Sequence, residues 1–146
     1  MATYKEIKGV TVQTLSEDPV TSGGSWSSGP AINTARFQAA GAGATQGAAY
    51  IIGGAIPGTS PNIRALHEQF DGSSWTEAGD LGTAKYALAT FGTTTSALTA
   101  GGYDGDTSEG FSGYTKNVES WNGSSWTETT DINNVRGYLG ASGPSN

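Results

Sequence analysis

The chain is 146 residues long, one domain's worth of polypeptide, with 14% charged residues, a net charge of −6 and no cysteine. The absence of cysteine excludes disulfides, thiolate metal sites and cysteine nucleophiles. The scattered cations, from Lys5 to Arg136, form no basic cluster and so argue against nucleic acid, whose phosphates call for a concentrated positive face.

No stretch approaches the ~20 apolar residues of a membrane span. The opening Met1-Ala2-Thr3-Tyr4-Lys5-Glu6-Ile7-Lys8 lacks the apolar core of a secretory signal. A protein made in a cytoplasm, without membrane insertion, is expected. Glycine accounts for 23 residues and aromatic side chains for 10% of the chain. With abundant Ser and Thr and no apolar stripe at helical spacing, this mix predicts an all-β chain of short strands and tight turns. Recurring aromatic and β-branched positions argue against disorder.

Residues 1–21 stand apart as an N-terminal arm or attachment segment. Val10–Leu15 alternates like a strand, ended by Pro19 and Gly23-Gly24, and an edge strand packed on the body is an equal alternative. Residues 22–146 form the repeat domain. Trp26, Trp75 and Trp126 recur at a period of about 50 residues, the range of modular β repeats. Each is followed by a basic residue at the same offset: Arg36, Lys85 and Arg136. The units are 26–74, 75–125 and a partial 126–146.

Four strands are predicted in the first unit, at Phe37–Gly43, Ala48–Gly54, Ala65–Phe70 and Ser74–Glu77. Their counterparts in the second are Tyr86–Gly92, Ser96–Tyr103, Lys116–Trp121 and Ser125–Thr129. Arg136–Gly143 reads as an inner strand without its outer companions. Asp71-Gly72 and Asn122-Gly123 predict two-residue type I′ turns between the last two strands of each unit. The doublets Gly53-Gly54 and Gly101-Gly102 close near-continuous apolar runs, Ala49–Ile52 and Ala97–Ala100, expected to be buried inner strands where backbone approaches backbone. Residues 55–64 and 104–115 are polar loops that differ between units.

Residues with chemical potential are few. Asp104, Asp106 and Glu109 form an oxygen-rich loop, a weak calcium candidate without EF-hand spacing. His67 is the only histidine, and Val118 stands at its position in the next unit, so a structural role is expected. One His without Cys leaves no zinc site and no nucleophile–His pair within a chain. Glu68 and Glu119 recur together with the basic positions, which suggests structural ion pairs; carboxylates for glycoside hydrolysis would instead face one cleft. Asn122-Gly123-Ser124 has the form of a glycosylation acceptor, but Asp71-Gly72-Ser73 shows that a turn alone explains it. The repeated Trp residues are expected to pack. Tyr103, Phe111 and Tyr114, which do not repeat, are the better candidates for stacking on a sugar. No catalytic residue and no cofactor is expected.

A Gly-Gly doublet after an apolar strand, an aromatic, a Trp and then a basic residue resembles the kelch repeat. Here these are Gly53-Gly54, Phe70, Trp75 and Lys85, then Gly101-Gly102, Trp121, Trp126 and Arg136. The resemblance implies kelch-like β-propeller blades, about two four-stranded blades per chain. The chain further resembles kelch-like structural proteins of marine bacteriophages, cyanophages especially. That likeness rests on Ala2–Gly9, Leu15-Ser16-Glu17-Asp18-Pro19, Ile32-Asn33-Thr34-Ala35-Arg36 and Asp71-Gly72-Ser73-Ser74-Trp75-Thr76-Glu77. It implies a non-enzymatic virion component: a tail-fibre, spike or capsid-surface protein.

Because propellers typically close with ~4–8 blades, two units call for completion by homo-oligomerisation, a homotrimer giving six. A different β fold, or a longer array, would answer the same problem. The implied partners are further copies of the chain, other virion proteins through the arm, and a host-surface glycan. The alternative function is a carbohydrate-binding adhesin module, and an intracellular kelch-type interaction module comes third.

Overall fold

The computed structural model describes residues 27–59, 62–108 and 112–143. The arm at 1–21, Trp26, Glu109 and Phe111 lie outside the described residues. Among the described residues all regular structure is β. The strands are β1 (Ala40–Thr45), β2 (Ala48–Ile52), β3 (His67–Phe70), β4 (Trp75–Glu77), β5 (Ala89–Gly92), β6 (Ala97–Ala100), β7 (Val118–Trp121) and β8 (Trp126–Glu128). They form two four-stranded antiparallel sheets, ordered β1-β2-β3-β4 and β5-β6-β7-β8, each a meander with neighbours in chain order.

Strand register selects the faces that meet. Ile52 pairs with His67 and Tyr50 with Gln69, so these four share one face of the first sheet. Ala97 pairs with Trp121 and Thr99 with Glu119, which fixes the facing surface of the second. The Tyr50 hydroxyl lies 2.8 Å from Thr90 Oγ1 across the junction. Tyr50, Ile52, Leu81, Leu88, Ala97, Trp121 and Trp126 make a continuous buried cluster there. β2 is therefore not buried on both sides, as its apolar run suggests: Tyr50 and Ile52 are sealed, whereas Ala49 and Ile51 are half-buried.

Between the sheets runs a strap, residues 82–87. Its backbone clips to the first sheet, with Gly54 N–H donating to Lys85 C=O at 3.0 Å and Lys85 N–H to Arg64 C=O at 3.2 Å. It also binds the second sheet, where Glu119 accepts from the N–H groups of Gly82 (2.7 Å) and Thr83 (3.3 Å) and lies 3.3 Å from Lys85 Nζ. The first strap, 33–38, is held alike by Glu68, which accepts from Asn33 N–H at 2.6 Å and Thr34 N–H at 3.3 Å and pairs with Arg36. All four charged side chains are shut off from solvent.

Several boundaries differ from expectation. The first strand of each sheet begins three residues late, because Gln38 and Ala87 both adopt φ 53° and turn the chain out of the β region. Phe37 and Tyr86 make only isolated bridges, to Ala55 and Tyr103. Arg136–Gly143 is not a strand: Tyr138 takes φ 55°, and no β2-like neighbour lies beside it among the described residues.

The turn after β3 is not type I′, which needs positive φ at both central residues; Gly72 has it and Asp71 does not. The pair Phe70↔Trp75 leaves a four-residue loop, which Asp71 Oδ1 organises by accepting from the N–H groups of Ser73 and Ser74, both at 2.8 Å. These bonds hold the Asp71 pKa down at about 2.

Gly53 (φ 64°) shows why the doublets are glycine, since a Cβ there would collide with the Lys85 carbonyl of the clipped strap. Gly58 (φ 74°) has nothing within 4 Å of its Cβ position. Gly53→Ala is therefore expected to cost about 2–4 kcal/mol in urea unfolding, from strain plus collision, against about 1 kcal/mol for Gly58→Ala, from strain alone.

Candidate functional site

Two neighbouring features stand out: a row of tyrosines and a cleft lined with carboxylates. The row follows from backbone bridges. Tyr103, just after the second glycine doublet, pairs with Tyr86 on one side and Tyr114 on the other. In the first sheet the same three positions are Phe37, Ala55 and Ile63, so the tyrosines belong to the second sheet alone.

The Tyr86 and Tyr103 rings lie 5.0 Å apart and tilted by 31°, while Tyr114 stands edge-on to Tyr103 at 5.4 Å. Tyr138 extends the row at 6.5 Å from Tyr114, with its hydroxyl accepting from Gln38 Nε2 at 3.0 Å. Tyr138 is 65% exposed, the more open of the two exposed large hydrophobic side chains, Phe37 being the other, among the described residues. Gly113 and Gly137 make room, as a Cβ at either would strike the ring of Tyr103 or Tyr114. Burial, reinforced by the neighbouring phenols, raises the Tyr86 pKa above 10.0. That phenol therefore stays neutral and keeps its O–H as a donor.

The structure thus brings the sequence candidates Tyr103 and Tyr114 into ring contact and adds Tyr86 and Tyr138. Phe111 lies outside the described residues. The added pair was legible only weakly, because Tyr86 and Tyr138 are far from 103–114 in sequence and carry no shared motif.

Tyr114 also borders a cleft of about 290 Å³ lined by Asp104, Asp106, Lys116, Glu128 and Asp131. The candidate calcium loop does not converge on a metal position. Asp104 Oδ1 accepts from Asp106 N–H at 2.9 Å and Asp106 Oδ1 from Ser108 N–H at 2.8 Å, so both carboxylates brace their own loop. The Ser108 bonds lower the Asp106 pKa. Glu109 lies outside the described residues, and among those described no group of three His, Asp or Glu could hold a metal ion. Asp131 Oδ1 is buried without a hydrogen-bond partner.

Below the cleft, Lys85 is completely buried, with Nζ 2.5 Å from Asn117 Oδ1. Burial lowers its pKa, while Glu119, Asp104 and Glu128 support the charge. In the other pair, burial works against the Glu68 carboxylate, but the Asn33 and Thr34 N–H groups and Arg36 outweigh it and leave the pKa below 4.5.

Trp121 and Trp126 are buried, and they pack at the sheet junction with His67 rather than offering a surface. Trp75 is half-buried, stacked on Phe70 at 5.2 Å, with Nε1 donating to Pro30 C=O at 3.2 Å. His67 is 1% exposed, in edge contact with Tyr50, Trp121 and Trp126. Its Nδ1 meets both Trp126 Nε1 at 3.2 Å and Gly79 C=O at 3.1 Å. An indole N–H only donates, so it needs a bare Nδ1, whereas the carbonyl needs a protonated one.

The chain matches no protein-family model and no curated protein. Among solved structures it is similar to the one titled "Structure of YjhT", at 14% identity and a TM-score of 0.58, over 73% of this chain and 35% of that one. This chain therefore spans about a third of the length of that protein. The likeness is one of all-β fold.

Burial first of all lowers the His67 pKa below 6.5, and Arg36 adds to this against the raising influence of Gly79 and Asp80. The unfolded chain therefore holds more protons in the window below 6.5, and the folded state loses stability as pH falls through it. The thermal midpoint is expected to drop between about pH 7 and pH 5, and that slope to flatten in His67→Val, which installs the residue of the second sheet. Glu68, held below 4.5 in the folded state, loses its contribution mainly below this window.

Proposed function

We propose that the chain is a non-enzymatic structural component of a bacteriophage particle, its two sheets acting as adjacent blades of a kelch-like propeller completed by further copies. The phage assignment rests on the sequence resemblance. The observation carrying the repeated-blade reading is the strap. The same glycine-clipped segment follows both sheets, with Gly54 N–H bound to Lys85 C=O at 3.0 Å and Gly102 N–H to Arg136 C=O at 2.9 Å. This likeness supports reading the residues after the second sheet as the lead-in to a third, supplied by another copy. Six blades from three chains fall within the usual ~4–8. The arm 1–21 would attach this domain to other virion proteins.

A second reading, recognition of a host-surface glycan, is favoured by the tyrosine row. Its rings offer faces for the apolar sides of a sugar, with carboxylates in the adjoining cleft to accept from hydroxyls. Asp131 Oδ1, buried and unpartnered, is one such acceptor. This recognition would be carried by the second sheet, since the first has Phe37, Ala55 and Ile63 at the matching bridges.

Light scattering tests the first reading. A trimer, three times 14.8 kDa, is expected, and a monomer across the accessible concentration range removes the shared propeller. For the second, titration with neutral oligosaccharides is expected to change tyrosine-region fluorescence, with affinity lowered about tenfold or more in Tyr114→Ala and Tyr138→Ala. Equal affinity in both variants would rule out the tyrosine row as the site.

A further inference from the structure

The three straps are not equally furnished. The middle one, 82–87, binds a sheet on each side, through its backbone to the first and through Glu119 to the second. The first, 33–38, has the glutamate contact but no sheet before it among the described residues. The third, 133–138, has the backbone contacts but no glutamate. Its Gly102–Arg136 clip is accompanied by Ile132 N–H donating to Lys116 C=O at 3.1 Å and Arg136 N–H to Thr115 C=O at 3.4 Å. These reproduce Leu81 N–H to Ala65 C=O at 3.0 Å and Lys85 N–H to Arg64 C=O at 3.2 Å. Arg136 is exposed and has no carboxylate partner among the described residues.

The straps also form a ladder through their left-handed residues, Gln38, Ala87 and Tyr138. Ala87 N–H donates to Gln38 C=O at 2.9 Å, and Tyr138 N–H to Ala87 C=O at 2.7 Å. The ladder is open at its far end, where Tyr138 keeps a free C=O among the described residues, able to stand where Gln38 C=O does and accept from the Ala87 N–H of another copy. The sheet faces are complementary in the same way. On the outer side of the second sheet, Ala100 pairs with Val118 and Leu98 with Ser120, the counterparts of the Ile52–His67 and Tyr50–Gln69 pairs sealed at the internal junction.

We propose that the third strap and the outer face of the second sheet dock the first sheet of a second copy of this chain, head to tail. In the docked state Arg136 and the Asn133 and Asn134 N–H groups take the place of the partner's own first strap on its Glu68. One strap then fills each junction, as 82–87 does within the chain. The exchange conserves its bonds: Asn133 stands where Asn33 does and Arg136 where Arg36 does, so the carboxylate keeps one cation and two N–H donors. Such a heterologous contact closes into a ring when the rotation between copies permits. This rests on the reading of the sheets as blades completed by further copies, and it names the surface and the segment that does so.

The test uses the full chain, followed by sedimentation against concentration. Wild type is expected to assemble. Arg136→Glu is expected to weaken assembly by about tenfold or more while its circular dichroism and melting match the unassembled wild type, because the Arg136 side chain has no carboxylate partner among the described residues. Arg136→Lys should still assemble, since Lys85 fills this role at the internal junction. If wild type assembles and Arg136→Glu assembles equally well, the docking surface is wrong while the oligomeric reading stands. A wild type that never assembles overturns both.

Discussion

A buried carboxylate tying down a strap is the contact on which this architecture depends. Glu68 and Glu119 occupy the same register in the third strand of their sheets, and each gathers two backbone N–H groups and one cation. Enclosing a charge costs several kcal/mol unless such partners surround it, and removing one partner of a buried pair costs about 3–5 kcal/mol. The arrangement therefore gives direction more than strength. A strap finds its position because few other places can satisfy so many groups of an enclosed carboxylate.

The strap in turn allows sheets to stack without pairing their edges. β1 and β5 are the first strands of their sheets and lie beside one another, yet the sheets are bound through the strap backbone and through side chains. Glycine at 53 and 101 lets that backbone come close, and the left-handed residue two positions after each basic side chain turns the chain into the next unit. The junction between the two sheets is thus built from a strap that clips its backbone to one sheet and meets the carboxylate of the other.

The two sheets share this frame but have diverged where it leaves them free. At one strand position the first has His67, wedged among Tyr50, Trp121 and Trp126, whereas the second has Val118. At the bridged loop positions the second has tyrosines and the first Phe37, Ala55 and Ile63. Repeated residues hold the sheets together, while non-repeated ones provide the titratable junction and the exposed aromatic row. Function is more naturally sought among the latter, which is why the tyrosines carry the recognition reading.

The sequence by itself determined the all-β class, the four strands of each of the two complete units, the pairing of Glu68 and Glu119 with a repeated base and the need for glycine at 53, 54, 101 and 102, but it wrongly extended a strand over 136–143. These follow from local propensity and from periodicity, which survive in a linear pattern. Only the tertiary structure decided that Gln38, Ala87 and Tyr138 share a left-handed conformation, because three unrelated side chains give no common signal for it. It also decided that Asp71 organises a four-residue loop, that Asn117 shares Lys85, and that Tyr86 and Tyr138 join Tyr103 and Tyr114. Each of these depends on which distant backbone comes alongside, and that is set by how one sheet packs on the next rather than by any local preference of the chain.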